Sequence, residues 1–238
     1  MSVITLEING IALAVKQDTT IYQAAVEAKI YIPTLCNLEG LSPVGACRLC
    51  LVEQVGSSKL LASCCTKVAE GMEIFTETPK LQQYRLMNVE MLFSEGNHIC
   101  AVCVANGACE LQDVAVAVGM DHSRFPYRFP DRHVDHSHPM FGIDHNRCIL
   151  CSRCVRVCDE IEGAHVWDIA KRGADCYVVS GLNQPWGEVT SCTSCGKCVD
   201  ACPTGAIFAK GTTIGQKNDG HEKLDFLIRA REKQEWIR

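Results

Sequence analysis

The chain has 238 residues, a net charge of −5 and 47% hydrophobic residues, which fits a globular protein and excludes a disordered or fibrous one. Its 28 acidic and 23 basic residues give no support for nucleic acid or an anionic membrane surface as a partner. No apolar run reaches the length of about 18 residues that a membrane span needs, and the N-terminus does not resemble a signal peptide. We therefore expect a cytoplasmic chain.

Cysteine is the unusual component, with 17 residues in the chain. In a reducing compartment so many thiols indicate metal binding or redox chemistry more than a disulfide framework, and the odd number leaves one thiol unpaired. All but one of the cysteines fall into four groups. These groups are Cys36, Cys47, Cys50, Cys64 and Cys65; Cys100, Cys103 and Cys109; Cys148, Cys151, Cys154 and Cys158; and Cys192, Cys195, Cys198 and Cys202, with Cys176 alone.

Residues 1–78 are predicted to form a mixed unit of strands and one helix. Alternating apolar residues and the Asn9-Gly10 pair predict a hairpin of strands 3–8 and 11–15. Asp18 or Thr19 is expected to cap a helix whose apolar face begins at Ile21. Further strands are expected near 49–54, 60–63 and 72–76.

The first cysteine group is predicted to hold a [2Fe–2S] cluster through Cys36, Cys47, Cys50 and Cys64. The loop between the first two ligands contains Gly40 and Gly45, which let the backbone fold closely round a cluster. Neighbouring residues on a strand point to opposite faces, so only one of Cys64 and Cys65 can ligate without distortion. We assign Cys64 as the ligand and expect Cys65 to be a buried structural thiol.

Residues 79–119 are predicted to be a small helical module with a second cluster. Thr78-Pro79 begins a helix that ends near Gly96, and its apolar stripe is expected to pack in the core. The group Cys100, Cys103 and Cys109 supplies only three thiolates, and a [4Fe–4S] cluster needs four ligands. His98 is the expected fourth ligand, and its neutral imidazole should raise the reduction potential, as in Rieske centres.

Residues 120–140 are predicted to be an irregular connector rich in histidine. Its four histidines are expected at the surface, with a dedicated histidine metal site as the less favoured alternative. They are His122, His133, His136 and His138.

Residues 141–212 contain two cysteine runs with the spacing of a bacterial two-cluster ferredoxin, in which the last cysteine of each run serves the other cluster. This spacing assigns Cys148, Cys151, Cys154 and Cys202 to one [4Fe–4S] cluster and Cys192, Cys195, Cys198 and Cys158 to another. Each exchanged cysteine is expected at the start of a helix. A zinc-stabilised scaffold protein is the alternative, but zinc sites normally use two separated cysteine pairs.

Residues 213–238 are predicted to form a helical tail that docks through one apolar face, which carries Leu224, Leu227 and Ile228. No glycine-rich nucleotide-binding motif is present in the sequence. We therefore expect the chain to conduct electrons without being the catalytic subunit.

The order of these motifs resembles the N-terminal iron–sulfur region of the complex I 75-kDa subunit and of iron-only hydrogenases. The resemblance covers about residues 1–210 and rests on motifs such as Pro33-Thr-Leu-Cys36-Asn, Gly45-Ala-Cys47-Arg-Leu-Cys50 and Gly107-Ala-Cys109-Glu-Leu-Gln112. Only Ile99 separates His98 from the first cysteine, where those relatives have three residues. The resemblance implies an α+β fold with a β-grasp [2Fe–2S] ferredoxin-like domain, a small [4Fe–4S] module with one His and three Cys ligands, and a two-cluster ferredoxin-like domain.

At this length, the chain looks like the small (gamma) diaphorase subunit of the cytoplasmic NAD-reducing [NiFe] hydrogenases. The segment Arg124-Phe-Pro-Tyr-Arg-Phe-Pro130 is similar to that family as well. The resemblance implies an FMN- and NAD-binding partner subunit and hydrogenase small and large subunits that carry nickel and iron. The chain would then connect them with one [2Fe–2S] and three [4Fe–4S] clusters. The alternative is the same role in an NAD-dependent formate dehydrogenase or another complex I-like NADH oxidoreductase.

Overall fold

A computed structural model describes residues 3–212 and shows the expected combination of helices and sheets. The chain divides into two units. The first comprises the residues up to Asn37, Pro43–Glu90 and Val114–His122, and the second comprises Leu38–Ser42, Met91–Asp113 and the residues from Ser123 onward. The helical tail expected at 213–238 lies outside the described residues.

The described residues form ten strands and five α-helices, with short 3₁₀ turns between some of them. The strands are β1 (Val3–Ile8), β2 (Ile11–Lys16), β3 (Leu51–Gln54), β4 (Leu60–Ala62), β5 (Met72–Phe75), β6 (Val134–Asp135), β7 (Phe141–Asp144), β8 (Trp167–Ala170), β9 (Tyr177–Ser180) and β10 (Ile207–Ala209). The helices are α1 (Ile21–Glu27), α2 (Pro79–Glu95), α3 (Glu110–Ala117), α4 (Arg153–Arg156) and α5 (Lys197–Ala201).

The first unit is built on a five-stranded sheet with the order β2-β1-β5-β3-β4. Strands β1 and β5 run parallel, and the other neighbours are antiparallel. The predicted hairpin is confirmed: Asn9 and Gly10 have φ values of 52° and 81°, the left-handed pair that a two-residue turn requires. All the strands expected in residues 1–78 are present, each within two residues of its predicted ends.

Helix α1 covers this sheet and begins one or two residues later than predicted. The expected cap, Asp18 or Thr19, is wrong, because Thr20 forms a capping box with Gln23. The Thr20 hydroxyl accepts a bond from the Gln23 backbone N–H at 3.2 Å, and the Gln23 side-chain oxygen accepts one from the Thr20 N–H at 2.9 Å. Ile21 is fully buried and joins Leu6 in the core between helix and sheet.

The second unit contains a three-stranded sheet, β10-β7-β6, and a separate hairpin of β8 and β9. Helix α4 continues without a break into a wider π-helical stretch, Val157–Glu162. Cysteines of both ferredoxin-type runs lie in the apolar core of this unit, together with Ile143 and Trp186. The core therefore forms around the two cysteine runs.

The connector is only partly as predicted. His122, His133 and His136 are exposed, as expected. His138 is 4% exposed, so its assignment to the surface is wrong. Its ring stacks on Phe141 and contacts Trp186, with centroids 4.9 and 4.8 Å apart, because the pairing of β6 with β7 brings this part of the connector onto the core.

Candidate iron–sulfur sites

The first unit brings Cys36, Cys47, Cys50 and Cys64 together. The sulfurs of Cys50 and Cys64 are 3.3 Å apart, and Cys36 is in hydrogen-bonding contact with both Cys47 and Cys64. Cys36 and Cys50 are fully buried, and Cys64 is 2% exposed. Four cysteines separated by up to 28 positions in sequence therefore form one thiol cluster.

Contacts among these thiols favour a negative charge within the cluster. Hydrogen bonds from Cys47 and Cys64 lower the pKa of Cys36 to about 2, and they raise the pKa of both donors. The contact with Cys64 lowers the pKa of Cys50 to about 6. Thiolates are the ligands that iron binds, and a cationic iron core would replace the protons that these sulfurs share.

The backbone around this thiol cluster is held by Arg85 of α2. Its guanidinium is buried and donates to the carbonyl oxygens of Leu49 and Leu51, each at 3.0 Å. These two residues flank Cys50. The backbone N–H of Leu35 points at the Cys47 sulfur at 3.4 Å. The loop is therefore arranged to present its sulfurs inward and to supply N–H donors to them.

Cys64 and Cys65 lie in a turn after β4, so the strand geometry expected for them is wrong. Cys65 is exposed, which corrects the prediction of a buried thiol. Its sulfur is 3.5 Å from that of Cys64 and would lie 3.0 Å from a Cβ placed on Gly45. Cys64 contacts both Cys36 and Cys50, so the geometry favours Cys64 as the ligand.

The second unit contains three small cavities of similar size. Each is lined by one of the predicted ligand sets. The sets are His98, Cys100, Cys103 and Cys109; Cys148, Cys151, Cys154 and Cys202; and Cys158, Cys192, Cys195 and Cys198. Within residues 3–212, no group of three or more His, Cys, Asp or Glu side chains is arranged to bind a single metal ion. Cys176 is not among the residues that line these three cavities.

His98 has the properties of a neutral nitrogen ligand. Its Nε2 atom is buried and has no hydrogen-bond partner among the described residues. Burial lowers the pKa of the imidazole to about 4, and a bond to the Leu92 backbone opposes this shift. Because Nε2 makes no bond, that contact belongs to Nδ1, which leaves the Nε2 lone pair available to a metal.

The backbone of Gly205 lies close to the Cys103 sulfur at the cavity beside His98. A Cβ on Gly205 would lie 2.6 Å from the Cys103 sulfur, so no larger residue fits there without movement. The Phe93 ring packs against His98 with centroids 5.3 Å apart. A helix and a loop more than 100 positions apart in sequence therefore form one cavity.

In each of the other two cavities, the last cysteine of one run lies beside the first three cysteines of the other run, as the spacing predicts. Cys202 lines the cavity of Cys148, and Cys158 lines the cavity of Cys192. The expected location at the start of a helix is wrong for both exchanged cysteines. Cys202 directly follows the end of α5, and Cys158 lies in the π-helical stretch after α4.

Burial makes these thiols hard to ionise unless a cation is present. It raises the pKa of Cys148 to about 11 and that of Cys151 to about 12, and it also raises the pKa of Cys154 well above its usual value. A buried set of thiolates requires compensating positive charge, which an iron–sulfide core supplies. The donor sets of all four sites therefore fit iron–sulfur clusters.

Two residues that the sequence does not point to lie beside the cavity of Cys192. The Trp186 indole nitrogen lies 3.3 Å from the Cys192 sulfur, and His138 Nε2 lies 3.9 Å from it. Neither residue belongs to a cysteine motif, so the sequence pattern does not indicate that either one lies near a cluster ligand. Only the fold brings them to the sulfur.

Three family models match successive parts of the chain. They are a 2Fe-2S iron–sulfur cluster binding domain at residues 2–79, an NADH-ubiquinone oxidoreductase-G iron–sulfur binding region at 85–124, and an NADH-quinone oxidoreductase subunit 3 ferredoxin-like domain at 138–208. The chain therefore contains regions for both [2Fe–2S] and [4Fe–4S] clusters.

The chain is 36% identical to the gamma subunit of the NAD-reducing hydrogenase HoxS of Cupriavidus necator, with 87% of each chain covered. It is 34% identical to the NADH-ubiquinone oxidoreductase 75 kDa subunit of Reclinomonas americana, and the match covers 85% of this chain and 29% of that relative. At 35% identity, it matches 24% of the alpha subunit of the NADPH-Fe(3+) oxidoreductase of Geobacter sulfurreducens. The chain thus spans less than a third of the length of these last two relatives.

A solved structure of an NAD⁺-reducing [NiFe]-hydrogenase in the H₂-reduced state contains a chain with the same fold. The TM-score is 0.83 at 34% identity, with 88% of each chain covered. Within residues 3–212, no helix is long and apolar enough to cross a bilayer.

Proposed function

Since the chain belongs to the family of the NAD-reducing hydrogenase gamma subunit and is an iron–sulfur electron-transfer subunit, we propose that it connects a [NiFe] hydrogenase module to an FMN- and NAD-binding diaphorase subunit. The complex would act in the cytoplasm as a hydrogen:NAD⁺ oxidoreductase. This chain would be a non-catalytic member of that complex.

The proposed cofactors are one [2Fe–2S] and three [4Fe–4S] clusters. Cys36, Cys47, Cys50 and Cys64 hold the [2Fe–2S] cluster. The three [4Fe–4S] clusters are held by His98, Cys100, Cys103 and Cys109; by Cys148, Cys151, Cys154 and Cys202; and by Cys192, Cys195, Cys198 and Cys158. The meeting of each set at one thiol cluster or one cavity supports this assignment.

The single observation that carries the proposed complex is the match along nearly the full length of both chains. The alignment with the hydrogenase gamma subunit covers 87% of each sequence.

The residues of this chain contribute position and electrostatics. Clusters of this kind accept and release single electrons when bound. Burial of ligand cysteines such as Cys36 and Cys154 keeps water from their sulfurs. N–H groups such as that of Leu35 stabilise negative charge on a ligand sulfur. The ion pair between Arg153 and Glu110, with bonds of 2.6 and 2.8 Å, stabilises α4 within the second unit.

Anaerobic affinity purification of the tagged chain from its own cells tests the proposed complex. We expect mass spectrometry to identify an FMN- and NAD-binding subunit together with hydrogenase small and large subunits. The preparation should reduce NAD⁺ with H₂. Co-purification with a molybdopterin-containing subunit, with no hydrogenase subunit present, would contradict the proposal.

A second candidate is the same electron-transfer role in a formate dehydrogenase or another complex I-like oxidoreductase. The matches to the Reclinomonas americana and Geobacter sulfurreducens relatives, at 34% and 35% identity, favour the complex I-like form of this alternative. The mass-spectrometric result above distinguishes the two, because the partner that carries nickel and iron belongs only to the first.

A further inference from the structure

Trp186 is placed to donate a hydrogen bond to a proposed cluster ligand. Its side chain is 1% exposed, and its indole Nε1 lies 3.3 Å from the Cys192 sulfur. An indole N–H donates and cannot accept, so the sulfur is the acceptor. This bond comes from a side chain and is therefore open to mutation, unlike the backbone N–H groups that contact other ligand sulfurs.

His138 directs a second N–H group toward the same sulfur. Its Nδ1 accepts bonds from the backbone N–H groups of Met140 and Phe141, each at 3.2 Å, so the ring proton lies on Nε2. Nε2 is 3.1 Å from the Ser194 hydroxyl and 3.9 Å from the Cys192 sulfur. The nearer hydroxyl is the main acceptor, and the sulfur is the second.

Both donors are fixed by the connector and the core. Asp135 accepts bonds from the backbone N–H groups of Trp186 and Ser137, each at 2.7 Å. The ring centroids of His138 and Trp186 are 4.8 Å apart, and Phe141 stacks on both rings. The N–H groups are thus oriented before any change in the charge of the cluster.

We propose that Trp186, assisted by His138, raises the reduction potential of the [4Fe–4S] cluster held by Cys158, Cys192, Cys195 and Cys198. The inference rests on the proposed ligation of that cluster. Reduction adds one electron, and part of the added negative charge falls on the ligand sulfurs. An N–H group aimed at one of those sulfurs therefore stabilises the reduced state more than the oxidised state.

The full chain with its clusters, carrying Trp186→Phe, tests this role. The substitution keeps an aromatic ring and removes the N–H group. We expect the oxidised-to-reduced ratio of this cluster at a fixed potential to increase about tenfold, a negative shift of about 59 mV for a one-electron couple. An EPR-monitored redox titration measures the shift, and the signal is identified as the one that Cys195→Ala removes or converts.

Phe208→Leu is the control, because Phe208 lies on β10 of the same unit and does not line the cavity of this cluster. Its midpoint should stay at the wild-type value, as should those of the other three clusters in Trp186→Phe. An unchanged midpoint in Trp186→Phe, or an equal shift in Phe208→Leu, would overturn the inference.

A measurement on the wild-type chain covers the case in which Trp186→Phe does not fold. With ¹⁵N-labelled tryptophan, pulsed EPR of the reduced cluster should show a weak indole nitrogen coupling that Trp167→Phe leaves in place, since Trp167 also lines this cavity. Absence of that coupling would overturn the inference. Failure of the proposed function would appear differently, as a wild-type iron content too low for three [4Fe–4S] clusters.

Discussion

Replacing Cys202 with Ala is expected to remove one complete [4Fe–4S] cluster, a loss of about four iron atoms per chain. Cys202 lines the cavity of Cys148, Cys151 and Cys154, although it belongs to the other cysteine run in sequence. The cluster associated with Cys192 should remain. Iron and sulfide analysis after anaerobic reconstitution, together with EPR of the reduced chain, measures the loss.

Cys176→Ala and Cys65→Ala are the controls for this substitution. Cys176 lies away from the three cavities, and Cys65 is exposed beside the first thiol cluster. Both variants should keep the wild-type iron content. If Cys202→Ala instead removed the cluster of its own run, the exchange of ligands would be wrong. Loss of the [2Fe–2S] signal in Cys65→Ala would place that thiol in the ligand set.

Replacing His98 with Ala is expected to remove or convert one [4Fe–4S] signal. His98 lines the cavity of Cys100, Cys103 and Cys109. Its Nε2 atom is buried without a hydrogen-bond partner in the described chain. Three thiolates alone leave one iron without a protein ligand, so that iron is readily lost. EPR would then show a three-iron signal or the absence of one four-iron signal.

His122→Ala is the matched control for His98→Ala, because its side chain is 72% exposed and contacts Asp121. Its EPR spectrum should be that of the wild type. His98→Cys should restore the four-iron signal at a more negative potential, since thiolate replaces a neutral ligand. A wild-type spectrum from His98→Ala would show that His98 only fills space beside the cavity.

Sequence patterns predicted local structure well where a few neighbouring residues determine it. The turn at Asn9-Gly10 is confirmed because only a left-handed pair joins two such strands tightly. The cap of α1 was misplaced because Asp18, Thr19 and Thr20 can all accept a helix N–H. Asp18 instead pairs with Lys67 at 2.7 Å, and the bond between Thr20 and Gln23 determines the helix start.

Structure that depends on distant segments was predicted less well. None of the strands β6 to β10 was predicted. Strand β7, for example, is buried on both faces, and β10 has only three residues. His138 was placed at the surface because its neighbours are polar, yet it packs against Phe141 and Trp186. The residues that neighbour a position in sequence do not show which distant side chains pack over it in the fold.

The candidate sites show the same division. Cysteine spacing predicted which thiols would meet, including the exchange of Cys158 and Cys202, because short loops constrain where each sulfur can point. The surroundings of those sulfurs could not be predicted. Arg85 beside Cys50 and Trp186 beside Cys192 reach their positions through tertiary packing alone.

Mössbauer spectroscopy of the full chain, purified without oxygen and enriched in ⁵⁷Fe, tests most directly whether these sites hold iron–sulfur clusters. The account predicts about 14 iron atoms per chain, divided between one [2Fe–2S] and three [4Fe–4S] clusters. A colourless chain that contains zinc in place of iron, or an iron content far below this value with no cluster spectrum, would contradict it.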